Sequence, residues 1–185
     1  MISYAIRLRI AIVGASDRPG NWSQRVYRSL KKFGFPGAIY PVNPRNQTVW
    51  EGQTCYPSLR DLPEPPDHVV VIVPGAAAVA AITEAGQAKA RSATVFSGGF
   101  GEGGDPKGRA LAADLKRAID NAGMAVSGPN CMGNLAAPSR MMTIPDDRIT
   151  TLERGPVGIV GQSGGIVMSI HRALMARGVT AGYAV

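Results

Sequence analysis

Residues 10–16 read IAIVGAS, a short apolar and largely β-branched run that leads directly into a glycine. An unbroken apolar run of this length is typical of a strand buried on both faces of a sheet. In the residues after the loop at 14–20, Val26, Leu30 and Phe33 recur at helical spacing, and Gly34 marks a stop. The beginning of the chain therefore predicts a strand, a glycine-containing loop and a helix.

The same strand–loop–helix alternation continues down the chain. Further strands are predicted at 38–42, 69–73, 93–96 and 124–127, with Pro41 ending the second, and an alanine-rich helix is predicted at 75–89. Strands that alternate with helices indicate βαβ units, which build a parallel sheet. Residues 1–140 are thus predicted to form a doubly wound α/β domain of Rossmann-like type.

The composition changes after this predicted domain. Residues 141–155 are polar and contain proline, so they are predicted to be a linker. Residues 156–185 show one more strand, glycine turn, helix and strand. A single βαβ unit cannot cover both faces of a sheet. We therefore expect 156–185 to begin a second α/β domain that is cut short in this sequence, unless a partner completes it.

Charge and composition narrow the classes of partner. The chain of 185 residues carries 20 Lys and Arg against 13 Asp and Glu, a net charge of +7, but only 6% of its residues are aromatic. Basic residues scattered without interleaved aromatics argue against nucleic acid and favour an anionic small molecule. No apolar run approaches the ~18 residues of a membrane span. Two cysteines without a disulfide pattern predict a reducing, cytoplasmic location.

Three glycine-containing loops are expected at the carboxyl edge of the sheet, where open α/β sheets bind ligands. The first, at 14–20, offers backbone N–H groups for a diphosphate, with Ser16 and Arg18 nearby. The others are 97–104, with five glycines in eight positions, and 128–133. Structural turns and mobile surface connections remain alternative explanations for these loops.

The end of the second strand separates the possible nucleotides. NAD-binding folds usually carry an acidic residue there for the ribose hydroxyls. This chain reads YPVNPR at 40–45, and from Tyr40 onward its first acidic residue is Glu51. Arg45 suits a phosphorylated ribose, which leaves NADP or coenzyme A, although a solvated loop arginine would look the same in the sequence.

Four segments together resemble a known family: IVGAS at 12–16, YPVNP at 40–44, SGGF at 97–100 and GPNCMG at 128–133. The chain is similar, in order and over nearly its whole length, to the coenzyme A-binding domain of NDP-forming acyl-CoA synthetases. These include ADP-forming acetate–CoA ligases and are related to the α subunit of succinyl-CoA synthetase. The family joins a carboxylic acid to CoA with a nucleoside triphosphate, through an acyl phosphate and a phosphorylated histidine.

The resemblance implies a role for each matching position. The residues that would hold the CoA phosphates are Gly14, Ser16 and Arg18. The residues that would line the adenosine and 3′-phosphate end are Val42, Asn43, Pro44 and Arg45. Pro74 would border the cofactor, and the residues that would face the pantetheine and acyl end are Ser97, Gly98 and Asn130.

The sequence GQSGG at 161–165 resembles the helix start of the family's second, flavodoxin-like domain that receives the phosphohistidine. The residues carried over are Gln162, Ser163, Gly164 and Gly165. Free N–H groups at a helix N-terminus favour an anion. The spacing also matches the GxSxG turn of hydrolases. No Asp or Glu follows Glu153, and His171 lies on the same predicted helix, so the hydrolase interpretation is rejected.

Other parts of the family's machinery have no counterpart in this sequence. The phosphorylated histidine would lie further along, and ATP and ADP would bind an ATP-grasp domain or subunit, supplied in cis or in trans. His68 is expected to begin a strand, and His171 to pack against its helix. Cys131 has no histidine near it in the sequence that would activate a thiol nucleophile, and no ligand cluster predicts a metal.

The prediction is therefore the CoA-binding portion of an NDP-forming acyl-CoA synthetase, inactive as a ligase on its own. Two alternatives stay open. One is a stand-alone, non-catalytic protein that binds CoA or acyl-CoA. The other is an NADP-dependent oxidoreductase, which the basic loop at Arg45 permits but for which no acid or base for hydride transfer is recognisable.

Overall fold

A computed structural model describes residues 8–185. Within them the chain forms these elements: β1 Ile10–Val13, α1 Trp22–Lys32, β2 Ile39–Val42, β3 Thr48–Val49, β4 Gln53–Thr54, β5 His68–Val71, α2 Gly75–Gln87, β6 Ser92–Val95, α3 Pro106–Ala122, β7 Ala125–Ser127, β8 Leu135–Ala136, β9 Met141–Met142, β10 Val157–Ile159, α4 Gly164–Met175 and β11 Ala181–Ala184. Strands β2, β1, β5, β6 and β7 pair in that order, all in parallel. The predicted Rossmann-like α/β fold with a parallel sheet is confirmed.

Helices cover both faces of this sheet, as the alternation of side chains in β1 requires. Ile10 and Ile12 pack with α1 residues such as Leu30 in one buried cluster. Ala11, one residue away, faces the opposite side and packs in a cluster that contains Ile82 of α2. Helix α1 therefore covers one face of the sheet, and α2 covers the other. This change of face between β1 and β5 creates the topological switch point, the place where open α/β sheets bind ligands.

The edge strand β2 differs from its prediction. Pro41 does not end the strand but lies inside it, paired in register with Ile12. A proline is tolerated there because β2 is at the edge of the sheet, where a missing N–H breaks no second ladder. On its outer side the Pro41 carbonyl accepts a hydrogen bond from the Tyr56 N–H at 2.9 Å. The intervening segment folds into the small β3–β4 hairpin.

The C-terminal part of the chain, which comprises β8 to β11 and α4 and is here named the second unit, also differs from expectation. Strands β10, β11, β8 and β9 form a four-stranded mixed sheet in that order. Residues 141–155, predicted as a linker, supply β9 and the buried side chains of Ile144 and Ile149. The polar and charged residues that make up most of this segment, such as Asp146 and Asp147, hide the apolar residues between them in the sequence. The βαβ unit of 156–185 therefore shares its sheet and core with residues 135–149.

Helix α1 joins the two units. Along the side opposite the first sheet, Arg25 donates to the Pro145 carbonyl at 2.7 Å. Ser29 donates to the Ile144 carbonyl at 3.2 Å, and Lys32 donates to the Ile149 carbonyl at 2.8 Å. These bonds satisfy carbonyls of the 144–149 segment that no strand ladder reaches. The second unit is thus held directly against the helix that begins at the predicted binding edge.

Candidate functional site

The loops that follow β1 and β2 are locked together by one side chain. Asn43 donates from Nδ2 to the Ala15 carbonyl at 2.8 Å, while its Oδ1 accepts from the Arg45 N–H at 2.9 Å. Gly14 stands at φ +95°, and a Cβ there would lie 2.6 Å from the Ile72 carbonyl oxygen. The first loop therefore needs glycine, and Asn43 has a structural task whatever it contacts in a ligand.

Two cations lie exposed at this end of the carboxyl edge. Arg18 follows β1 and Arg45 follows β2, next to the exposed Pro44, whereas Val42 is buried at the end of its strand. Within residues 8–185 neither arginine side chain makes a hydrogen bond or an ion pair. Ser16 accepts from the Arg18 N–H at 3.2 Å, which shapes the loop. Both guanidinium groups are available to an anion.

The other end of the edge carries a cleft of about 380 Å³, here named the first cleft. Its walls are mostly apolar and include Trp22, Ile72 and Phe96, together with the predicted residues Pro74, Ser97 and Asn130. Ser97 does not offer its hydroxyl hydrogen to the cleft, because Oγ donates to the Val73 carbonyl at 2.7 Å. Gly98 lies beside Asn130: a Cβ added at position 98 would be 3.5 Å from the amide carbon of the Asn130 side chain.

Trp22 is the main wall of the first cleft that the sequence did not predict. It is the first residue of α1 and leaves 42% of its surface exposed. Its ring tilts against Phe96 at a centroid distance of 6.2 Å and lies 4.9 Å from the guanidinium carbon of Arg25. The Asn21 side chain before it caps α1 by accepting from the Ser23 N–H. That capping signal marks the helix start, and so the position of the tryptophan, in the sequence.

A second cavity of about 560 Å³ lies between the first sheet and the second unit, here named the second cavity. It shares Asn130, Cys131 and Met132 with the first cleft. Its floor is apolar and includes Phe100 of the glycine-rich loop and Val167 of α4. The two spaces are therefore neighbours across one three-residue segment.

Helix α4 begins at the segment that the sequence predicts to receive an anion. Ser163 caps it, with Oγ accepting from the Ile166 N–H at 3.4 Å, and Gln162 and Gly164 line the second cavity. Gly165 is exposed at the first turn. The geometry brings this helix start to the second cavity, together with the loop of Asn130. It does not bring it to Arg18 or Arg45, which lie near β1 and β2.

The two histidines are buried away from these spaces. His68 begins β5, and its Nε2 and Nδ1 lie 3.1 Å from Thr94 Oγ1 and 2.8 Å from Ser92 Oγ. Asn134 donates to the same Thr94 oxygen at 2.8 Å, so both ring nitrogens of His68 and the Asn134 amide belong to one buried hydrogen-bond network. Burial lowers the His68 pKa to about 4, so the ring is neutral near pH 7.

His171 lies buried on α4, as packing predicts, and its Nδ1 makes no hydrogen bond to any described residue. Burial is the main cause that lowers its pKa, and the neighbouring Arg172 adds to the effect. Burial likewise raises the pKa of the Cys55 thiol, which keeps that cysteine protonated. These groups belong to the core rather than to the carboxyl edge.

Comparison with known proteins agrees with this architecture. The sequence profile of a family described as "CoA binding domain" matches residues 8–137. The chain is 30% identical over 161 residues to the ADP-forming acetate–CoA ligase I of Archaeoglobus fulgidus, covering 87% of this chain and 23% of that protein. It is 29% identical to the α subunit of the ADP-forming acetate–CoA ligase II of Pyrococcus furiosus, covering 90% and 35% respectively.

Among solved structures, acetyl-coenzyme A synthetase 1 of Candidatus Korarchaeum cryptofilum, in complex with phosphate and ADP, superposes with a TM-score of 0.84 at 31% identity. The match covers 96% of this chain and 37% of that one. The chain thus spans about a quarter to a third of the length of these relatives. No helix formed by residues 8–185 has the length and apolarity to cross a bilayer. Since the profile covers most of the sequence, the chain belongs to the family of CoA-binding domains.

Proposed function

We propose that this chain binds coenzyme A across the carboxyl edge of its parallel sheet, as the CoA-binding portion of an NDP-forming acyl-CoA synthetase. The observation that carries the proposal is that one end of this edge is positively charged and the other end is apolar. Exposed Arg18 and Arg45 stand at the β1–β2 end, and the apolar first cleft stands at the β5–β7 end. CoA has the same division, with phosphates at one end and an uncharged pantetheine arm at the other.

The strand order supports an extended pose. From β2 to β7 there are four strand spacings, or about 19 Å at ~4.8 Å each. The nucleotide and arm of CoA are long enough to run along such an edge. In this pose the 3′-phosphate lies near Arg45, the diphosphate near Ser16 and Arg18, and the arm passes Pro74 towards Asn130.

The thiol end of CoA then reaches the segment 130–132, which borders both cavities. There the start of α4 supplies free N–H groups from Gly164 and Gly165, next to Ser163 and Gln162. These groups favour a phosphoryl group carried on a histidine or an acyl phosphate. At this place the thiol sulfur of CoA would attack the carbonyl carbon of the acyl phosphate. The C–S bond would form as the C–O bond to the phosphate breaks, and the phosphate, which takes up the thiol proton, would leave at the helix N-terminus.

The rest of the reaction needs groups outside this chain. We propose an ATP-grasp domain or subunit as its partner, in cis or in trans, because a related protein is named as an α subunit. That partner would bind ATP or ADP, and a carboxylic acid would be the acyl donor. Both cysteines are free, which suits a reducing cytoplasm.

Calorimetric titration of the chain with CoA, NADPH and NADH tests the proposal. CoA is expected to bind saturably with 1:1 stoichiometry, and both dinucleotides are expected to bind at least tenfold more weakly, because the apolar first cleft offers a nicotinamide ribose few polar partners. Tighter binding of NADPH than of CoA would favour an oxidoreductase instead. Copurification of an ATP-grasp protein with the chain would argue against a stand-alone CoA-binding protein.

A further inference from the structure

A network of polar side chains, here named the polar network, joins the parallel sheet to the start of β8. Its members Thr94 of β6 and His68 of β5 are both buried. The Thr94 hydroxyl oxygen lies 3.1 Å from His68 Nε2 and accepts from Asn134 Nδ2 at 2.8 Å. Ser92 Oγ lies 2.8 Å from the other ring nitrogen of His68. Buried polar groups are costly to leave without partners, so a network of this kind favours one arrangement of its members.

Asn134 connects the polar network to the second unit through its backbone. It directly precedes β8, and its N–H donates to Thr143 Oγ1 at 2.8 Å. Its carbonyl accepts from the Thr143 N–H at 2.9 Å. A Cβ at Gly133, one residue earlier, would lie 2.7 Å from the backbone carbonyl of Thr143. The side chain of Asn134 is therefore bound to the first sheet, while its backbone is bound to the second unit.

The segment that leads to Asn134 is attached at its other end as well. The Asn130 N–H donates at 3.0 Å to a carbonyl of the loop that follows β6. The Cys131 N–H donates at 3.1 Å to the carbonyl of the last residue of β6. Residues 130–132 border both the first cleft and the second cavity. The bond between Thr94 and Asn134 thus secures the far end of the segment that faces the ligand.

We propose that Thr94 and Asn134 are positioning residues for coenzyme A, because their hydrogen bond holds residues 130–132 where the pantetheine arm passes. Neither residue belongs to the lining of the first cleft or of the second cavity, so both act through the segment rather than on the ligand. The inference rests on the proposed binding of CoA along the sheet edge. In that pose the nucleotide lies at the β1–β2 end, so loss of the bond affects the arm and not the nucleotide.

Two ligands with the same nucleotide end test this difference. Adenosine 3′,5′-bisphosphate has the adenosine and 3′-phosphate of CoA but no pantetheine arm, and its affinity is measured by calorimetric displacement against CoA. Thr94→Val removes the hydroxyl and nearly keeps the shape of the side chain. It is expected to weaken CoA binding about fivefold, while affinity for the bisphosphate stays within about twofold. Asn134→Ala is expected to act in the same way, and Thr94→Ser, which keeps the hydroxyl, is expected to retain the affinity for CoA.

Alkylation of the two cysteines reports on the segment without any ligand. Cys131 lies in the segment and is partly exposed, whereas Cys55 is buried beside the first sheet. Thr94→Val and Asn134→Ala are expected to raise the rate at which iodoacetamide modifies Cys131 about fivefold, with no change at Cys55. Ser92→Ala is the matched control, because it removes a hydroxyl from the polar network but leaves the bond between Thr94 and Asn134 in place. It should change thermal stability without changing the relative affinities or the alkylation of Cys131.

The outcomes separate this inference from the proposed function. Equal weakening of both ligands, or unchanged CoA affinity in a folded Thr94→Val chain, would overturn the positioning role and leave CoA binding intact. Equal acceleration at both cysteines would also overturn it, because general unfolding would then be the cause. A Thr94→Ser chain that behaves like Thr94→Val would exclude the hydrogen bond as the cause. Failure of the unsubstituted chain to bind CoA would overturn the proposed function and this inference with it. If Thr94→Val does not fold, Asn134→Ala decides, because Asn134 is only partly buried.

Discussion

The two tryptophans predict opposite consequences for folding and for binding. Trp22 leaves 42% of its surface exposed, whereas Trp50 leaves 2% and stacks on Tyr27 at 4.7 Å between ring centroids. Replacing Trp22 by alanine removes the tilted contact with Phe96, worth about 0.5–1.5 kcal/mol, and the cation–π contact with Arg25, worth about 0.5–1 kcal/mol. The two contacts together account for about 1–2.5 kcal/mol, so we expect Trp22→Ala to lower the free energy of unfolding by less than Trp50→Ala does. Trp50→Ala should lower it by about 3–5 kcal/mol.

Binding should show the reverse order. A tryptophan side chain carries about 200 Å² of surface, so the exposed 42% of Trp22 offers about 80 Å² for a ligand in the first cleft to cover. At about 25 cal/mol per Å², full coverage stabilises the complex by about 2 kcal/mol, or about thirtyfold in Kd. Trp22→Ala should thus weaken CoA binding by about tenfold or more, while the chain stays folded.

Intrinsic fluorescence gives the assay, because the chain contains only two tryptophans. In a Trp50→Phe chain the signal comes from Trp22 alone, and CoA is expected to change its intensity and shift its maximum to shorter wavelength. The matched Trp22→Phe chain reports the buried Trp50, whose indole N–H donates to the Ser16 carbonyl of the first loop at 3.3 Å, and its response should be the smaller of the two. A response from Trp50 alone, or unchanged CoA affinity in a folded Trp22→Ala chain, would refute the assignment of the first cleft to the ligand.

Three further predictions concern stability. Because the buried His68 has a pKa of about 4 against 6.5 when unfolded, the unfolded chain binds the extra proton between those values, and stability should fall by about 3 kcal/mol as pH drops from 6.5 to 4. Urea unfolding at several pH values measures this, and an unchanged slope in His68→Gln would contradict it. Gly86→Ala should destabilise the fold by about 1–3 kcal/mol, since the new Cβ would lie 2.6 Å from a Cβ of the facing helix α3. Thermal unfolding measures the effect, and Gly103→Ala, where the new Cβ meets open space, is the control variant. The pKa of Asp146 is lowered mainly by its hydrogen bond from a neighbouring arginine. Its ionised carboxylate should therefore stabilise the fold above the unfolded pKa, and this effect should be lost as pH falls through the folded pKa. Asp146→Asn should lower the free energy of unfolding by about 0.5–1.5 kcal/mol at pH 7 and by less in acid. A constant difference across that range would exclude the ionised carboxylate as the cause.

The sequence predicted the first sheet well because its central strands β1, β5 and β6 are buried on both faces. Runs such as IAIV at 10–13 do not alternate between polar and apolar residues, so they exclude a strand with one solvent-exposed face. The second unit was harder to predict, because Ile144 and Ile149 stand among polar and charged residues. Their burial follows from the donors on α1 that bind the 144–149 segment, a tertiary effect that no local pattern contains.

The candidate site was predictable to the level of its loops. All three glycine-containing loops lie at the carboxyl edge because parallel strands end on the same side. The aromatic walls of the first cleft were not predicted, since Trp22 and Phe96 are far apart in the sequence and meet only across the switch point. The structure also gives Asn43 a local task, locking two loops, that a motif alone does not reveal.

The central claim is that CoA lies along this edge with its 3′-phosphate at the β1–β2 end. The most direct test is the ratio of the Kd values of dephospho-CoA and CoA, measured by calorimetry in the unsubstituted chain and in the Arg45→Ala and Arg18→Ala variants. We predict that dephospho-CoA binds about ten- to a hundredfold more weakly than CoA to the unsubstituted chain. Arg45→Ala should bring the ratio close to one, and Arg18→Ala should weaken both ligands while preserving the ratio. Equal affinities for the two ligands in the unsubstituted chain would contradict the proposed orientation of CoA.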